Sequence, residues 1–149
     1  MICFEWHAFS DLTVEQLYAV LALRAQVFIL EQKILYVDPD GKDQEALHLL
    51  GMEENKLVAY ARLFPPHETQ NYIKFGRVLT SNAVRTKGYG KQLIRELLNY
   101  CGMHFKNVSI HCSAQFYLKN FYESFGFESY GDQYDEEGIL HIAMKKITL

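Results

Sequence analysis

Gly88 and Gly90 stand one residue apart in the run Val84-Arg-Thr-Lys-Gly-Tyr-Gly90, between a strand-like stretch, 73–79, and a helix-like one, 91–98. Glycines in that spacing let the main chain close on an anion. The helix that starts there aims unpaired N–H groups and the positive end of its dipole at the same point. A pyrophosphate is the natural ligand of such a cradle, although a tight turn ahead of an amphipathic helix also has a plain structural reading. Two better-known phosphate motifs do not fit: a dinucleotide fingerprint needs a third glycine where Leu93 stands, and a P-loop needs one where Arg85 stands.

Other residues with chemical potential are sparser. His111-Cys112 suggests a thiol nucleophile, but neighbours on a strand point to opposite faces and cannot work as a pair. Asp38-Pro-Asp-Gly-Lys-Asp43 looks like a calcium loop, yet its glycine is fourth rather than sixth and Leu49 replaces the bidentate glutamate, so no metal is expected. Cys3, Cys101 and Cys112 lack CxxC spacing, which argues for reduced thiols rather than disulfides or zinc. Arg24 falls on the apolar face of a helix, where an unpaired charge is costly. It either pairs with a carboxylate as part of the structure or anchors an acidic group of a substrate.

The elements that must position these residues follow from periodicity. Ile2, Phe4 and Trp6 alternate with polar neighbours as an opening strand. Thr13 and Gln16 form a capping box ahead of Leu17, Val20, Leu21, Arg24, Val27 and Phe28, a helix face that runs to about Glu31. The turn formers of 37–43 predict an exposed loop. The segments 48–53 and 57–64 make a hairpin, and 73–79 is the strand that feeds the cradle. Leu93, Ile94, Leu97, Leu98 and Cys101 form the buried stripe of the next helix, with Gly102 as its stop. A strand at 108–114, a short aromatic helix at 116–125 capped by Gly126, extended structure at 127–130 and a last strand at 140–147 complete the chain.

This order predicts one α/β (α+β layered) domain over 1–149: a mixed, mostly antiparallel sheet flanked by helices on both faces, with one parallel crossover. At 149 residues and 49% hydrophobic content the chain supports one substantial core and is not disordered. A net charge of -3 without a long basic run excludes the footprint of a nucleic-acid binder. The N-terminus lacks the marks of a secretory signal and no apolar run approaches a membrane span, so a cytoplasmic protein is expected.

Arg85-x-x-Gly88-x-Gly90 after a strand resembles the signature of the GNAT superfamily of acetyl-CoA-dependent N-acetyltransferases. Downstream, Phe121-Tyr122-Glu-Ser-Phe-Gly126-Phe127 is similar to the ending of that superfamily's second motif. Arg24-x-x-Val27-Phe28-x-x-Glu31-Gln32, the Asp40-Gly41 loop, Asp43, His48 and Gly138-x-x-His141-Ile142 resemble the ElaA-like branch, so the likeness spans nearly the whole chain. Gln115 stands where many members have asparagine, Leu118 where an alanine follows, and Ile34-Leu35 where the branch has Cys-Pro.

The resemblance implies a CoA site and an acyl transfer. Main-chain amides of Arg85, Thr86, Lys87, Gly88, Tyr89, Gly90 and Lys91 would hold the pyrophosphate, with charge from Arg85 and Lys87. Val78 and Leu79 would pair with the pantetheine arm as with an added strand, and Gln115 would hydrogen-bond the cofactor. Tyr122 is the implied proton donor to the leaving thiolate. Glu31 leads as general base, with His111 and His141 as alternatives; both histidines and Arg24 are candidate substrate-binding residues. The expected reaction moves an acetyl group from acetyl-CoA to a primary amine of a small molecule or peptide, without an acyl-enzyme, in a monomer or homodimer. The alternative is a non-catalytic acyl-CoA-binding sensor of the same fold.

Overall fold

Helix α1, Val14–Arg24, begins where the capping box forms: Thr13 Oγ1 accepts from the Gln16 amide at 3.0 Å, and the Gln16 side chain accepts from the Thr13 amide at 2.8 Å. It continues as a π-helical segment, Ala25–Glu31, so the predicted helix reaches Glu31 in two forms. The structure is a computed structural model that describes residues 1–148; Leu149, the last position of the expected domain, lies outside the described residues.

Seven strands form one sheet: β1 (Cys3–Ala8), β2 (Leu47–Glu53), β3 (Lys56–Phe64), β4 (Tyr72–Thr80), β5 (Ser109–Gln115), β6 (Glu128–Glu136) and β7 (Ile139–Ile147), in the order β1-β2-β3-β4-β5-β7-β6. All neighbours are antiparallel except β4 and β5, which makes the sheet mixed with the one parallel crossover expected. Helices α2 (Tyr89–His104) and α3 (Lys119–Glu123) cover one face and α1 the other. β3 shows how the layers divide. Ala59, Ala61 and Leu63 point toward the α2 stripe of Leu93, Ile94 and Leu97, whereas Tyr60 packs with Val20, Val27 and Phe28 beneath α1. Burying each aliphatic side chain of that stripe stabilises the fold by about 1.5–3 kcal/mol.

Several predicted boundaries move for local reasons. α2 passes through Gly102 to His104, because the buried stripe outweighs one flexible residue. The aromatic helix splits into a 3-10 turn, Phe116–Leu118, and α3, and Gly126 closes it at φ +92°. β6 extends to Glu136, further than the 127–130 expected, as an exposed edge strand whose polar residues hide its periodicity. The loop 37–43 is exposed, as its turn formers suggest, except at Asp38 and Asp43, which turn inward and are 4% and 6% exposed.

Two irregularities shape the cleft. β4 and β5 pair only from Tyr72 to Lys74 opposite Ser109 to His111, and then part. On its other side β4 bulges: Tyr60 faces Leu79 and Arg62 faces Gly76, so β3 skips Arg77 and Val78, and Arg77 lies in the left-handed region at φ +50°.

Candidate active site

A cleft of about 1490 Å³ opens where β4 and β5 separate. One end reaches the glycine turn. Gly88, at φ +76°, ends the 3-10 turn Asn82–Lys87 and begins α2, whose first amides have no earlier carbonyl to bond. A Cβ built at Gly88 or Gly90 meets nothing within 4 Å, so no protein atom fills the space against the turn. Arg85 and Gly90 line the cleft, with Thr86 in the turn and Lys91 in the first turn of α2.

Two cradle side chains are committed elsewhere. The Lys87 ammonium lies 2.9 Å from Glu53 at the end of β2, and the buried Tyr89 ring donates its hydroxyl to the same carboxylate. These bonds raise the Lys87 pKa and lower that of Glu53. Glu53 thus ties the turn to the sheet. The Lys87 charge expected near a diphosphate sits in an exposed pair with Glu53, as the Arg85 charge does with Glu31.

Val78 and Leu79 of β4 and Gln115 at the end of β5 line the middle of the cleft. Tyr122 lines it from α3, 5% exposed and packed against Phe75, Phe121 and Phe127 at ring separations of 6.1, 5.2 and 5.9 Å. Among the described residues its hydroxyl has no hydrogen-bond partner, and burial pushes its pKa well above the usual tyrosine range. The phenol is therefore protonated and unengaged. Burial also pushes the adjacent Cys112 thiol up to about 12, which makes it a small packed residue and not a nucleophile.

The other predicted residues separate into three cases. Glu31 reaches the cleft from the end of the π-helical segment, but its carboxylate lies 2.6 Å from Arg85, whose guanidinium also donates to the Thr80 carbonyl at 3.1 Å. His141 lines the far end beside Gln115; its Nδ1–H donates to the Ile139 carbonyl at 2.7 Å, and Nε2 lies 3.2 Å from Glu136. His111 does not line this cleft. It stands opposite Lys74 at the last β4–β5 pair, before the strands part, tilted against Tyr72 at 4.3 Å and bonded to Ser109 and Tyr130, in a neighbouring hollow of about 180 Å³.

Arg24 needs the same correction as a substrate-binding candidate. It is fully buried, donating through Nε to Asp38 and through Nη1 to Asp43, each at 2.7 Å. Arg62 joins from β3, bonding Asp43 at 2.9 Å and Asp40 at 2.9 and 2.6 Å; Arg77 joins from the bulge, 2.9 Å from Asp38. The Arg62 bonds hold the Asp40 carboxyl far below its ordinary value. Burial alone would raise Asp43, but Arg24 and Arg62 outweigh it and lower its pKa. His48 sits against this cluster. Its Nε2–H donates to the Asp43 carbonyl at 2.9 Å and its Nδ1 accepts from Tyr60 at 2.6 Å, the pattern of a neutral ring, and burial lowers its pKa. Arg62, Arg77, Glu53 and Glu136 were not singled out in the sequence. Only Glu136 left a local signal there, the Glu137-Gly138 turn that folds it back toward His141.

A sheet that opens between its two parallel strands, with a glycine turn leading into the gap, defines the GNAT class of transferases. The Acetyltransferase (GNAT) domain profile matches residues 15–148, and the chain belongs to this family. Its relatives include ElaA of Escherichia coli K12, 41% identical over 139 residues that cover 92% of this chain and 91% of the relative, and a UPF0039 protein of Synechocystis, 42% identical over 144 residues, 96% and 94%. Among solved structures, Escherichia coli ElaA superposes with a TM-score of 0.90 at 39% identity, covering 98% and 99% of the two chains. An acyl-CoA N-acyltransferase from Pseudomonas aeruginosa superposes with a TM-score of 0.93 at 34% identity, with the same coverage. No described helix is long and apolar enough to cross a membrane, and the described residues include no cluster of His, Cys, Asp or Glu arranged for a metal ion.

Proposed function

We propose that this chain is a cytoplasmic N-acyltransferase that moves the acetyl group of acetyl-CoA to a primary amine of a small molecule or peptide by direct attack. The observation that carries this reading is Tyr122: a buried, protonated, unpartnered phenol facing a cleft whose other end is an unfilled main-chain cradle. The residues fit the donor. The amides of 88–91 and the Arg85 guanidinium suit a diphosphate, and the β4 edge freed by the departure of β5 suits an arm of amides. When bound, the donor supplies the activated acyl group as a thioester.

The chain supplies the proton movements. Tyr122 donates to the sulfur as it leaves, since a phenol facing the cleft carries its proton throughout the neutral range. The amine proton goes to His141 Nε2, whose lone pair is left open because Nδ1–H is fixed on a carbonyl, and the Glu136 carboxylate 3.2 Å away stabilises the imidazolium that forms. Glu31 serves less well as base, because Arg85 already engages its carboxylate. Release of free thiol from acetyl-CoA across a panel of amines, with mass detection of the acetylated amine, tests the proposal. Amine-dependent release supports it. Tight CoA binding without any amine-dependent release overturns it in favour of a sensor, and no CoA binding in calorimetry leaves the glycine turn purely structural.

A further inference from the structure

The middle of the cleft is bounded by main chain that has no register partner on either neighbouring strand. β3 skips Arg77 and Val78 at the bulge, and β5 has left β4 after Lys74. Both residues line the cleft, beside Phe75, whose ring packs on Tyr122. A left-handed conformation crowds the Cβ of any residue but glycine, so Arg77 at φ +50° persists only where its surroundings impose it.

Those surroundings are one buried aspartate. Arg77 Nε donates to Asp38 Oδ1 at 2.9 Å and Nη2 to the Asp38 carbonyl at 3.0 Å, with Asp40 a further 3.6 Å contact. Asp38 is itself fixed by Arg24 Nε at 2.7 Å and by the Tyr36 hydroxyl at 3.2 Å. The aspartate is thus anchored to α1, and the bulge is anchored to the aspartate. Because Arg77 is fully engaged this way, its side chain lends the cleft no free charge.

Resting on the transferase reading above, we infer that Arg77 and Asp38 are positioning residues for acyl transfer: the pair holds the β4 bulge, and with it the unpaired main chain of Arg77 and Val78, in register with Tyr122. Arg77→Gly isolates this role, since glycine adopts the left-handed backbone without crowding while the anchor is lost. Calorimetry should show CoA bound only about two- to fivefold more weakly, because the loosened segment meets the pantetheine arm alone while the distant cradle keeps the diphosphate. The kcat should fall by about 10- to 100-fold with little change in the amine KM, and Arg77→Lys should recover part of it. Independently of turnover, amide hydrogen exchange in 76–79 should quicken roughly tenfold in Arg77→Gly and stay unchanged in the β2–β3 hairpin. Unchanged exchange at the bulge overturns the inference whatever the activity, and so does quickened exchange with a wild-type kcat. If the wild type transfers to no amine, the transferase reading fails, and the exchange result still shows whether the pair holds the bulge.

Discussion

The two ends of the cleft are built in opposite ways. At the donor end the turn 85–91 is largely exposed and offers main-chain amides, while Lys87 and Arg85 are paired with Glu53 and Glu31. At the other end Arg24, Arg62 and Arg77 pin the loop 37–43 through Asp38, Asp40 and Asp43, of which Asp38 and Asp43 are buried. The first end is tuned by weak, solvent-screened pairs and tolerates change. The second ties site shape to folding, because removing one partner strands a buried charge.

The contrast can be broken most sharply at Tyr122, which lies between the two ends. Tyr122→Phe should lower kcat by about 10²- to 10⁴-fold with CoA affinity unchanged, measured by steady-state thiol release beside calorimetry. Equal rates in both proteins would remove the phenol from the mechanism. Next in size, Arg24→Ala should destabilise the fold by about 3–5 kcal/mol. Lys87→Ala at the exposed turn should leave the urea midpoint close to that of the wild type, and urea denaturation of the two variants measures the difference directly.

Acidity sharpens the same comparison. His48 is neutral in the fold and its pKa is lowered by burial, so the unfolded chain binds more protons once the pH drops below about 6.5, and stability falls with it. Asp40 and Asp43 are held low by their arginines, which adds a second loss as the pH falls below about 4. Urea midpoints should therefore decline in two stages, and His48→Gln should shrink the first, to which His111, its pKa also lowered by burial, contributes as well. The smallest effect belongs to Glu31. Glu31→Gln frees Arg85 and should tighten CoA binding by roughly two- to fivefold, and a weaker affinity in calorimetry would show that Glu31 supports the donor site.

The donor end was legible in the sequence because main-chain binding leaves local marks. Gly88 and Gly90 must be glycine or close to it, their spacing is short, and the Thr13–Gln16 box and the Leu93–Cys101 stripe are equally local. The acceptor end was not. Arg24 was read correctly as needing a carboxylate, but its partners lie 14 and 19 residues away. Arg77 meets Asp38 across 39 residues of chain. Turn formers at 37–43 describe how the backbone bends and say nothing about which cations lie beneath. His111 lies outside the cleft for a different reason: it shares a face of β5 with Gln115, but the point where β4 stops pairing, just past Lys74 opposite His111, is a tertiary fact that alternation along one strand does not carry.

The brevity of the parallel pairing between β4 and β5 reaches beyond catalysis. Chain order follows the same division, with 1–104 supplying β1 to β4 and the two longer helices and 109–148 supplying the rest. Severing the 105–108 link would thus yield complementary fragments joined mainly by core packing and one short ladder. A ligand lodged between them acts as mortar, adding about 2.7 kcal/mol to their union at a hundredfold excess over its Kd, so reconstitution of the nicked protein becomes a gauge of donor occupancy.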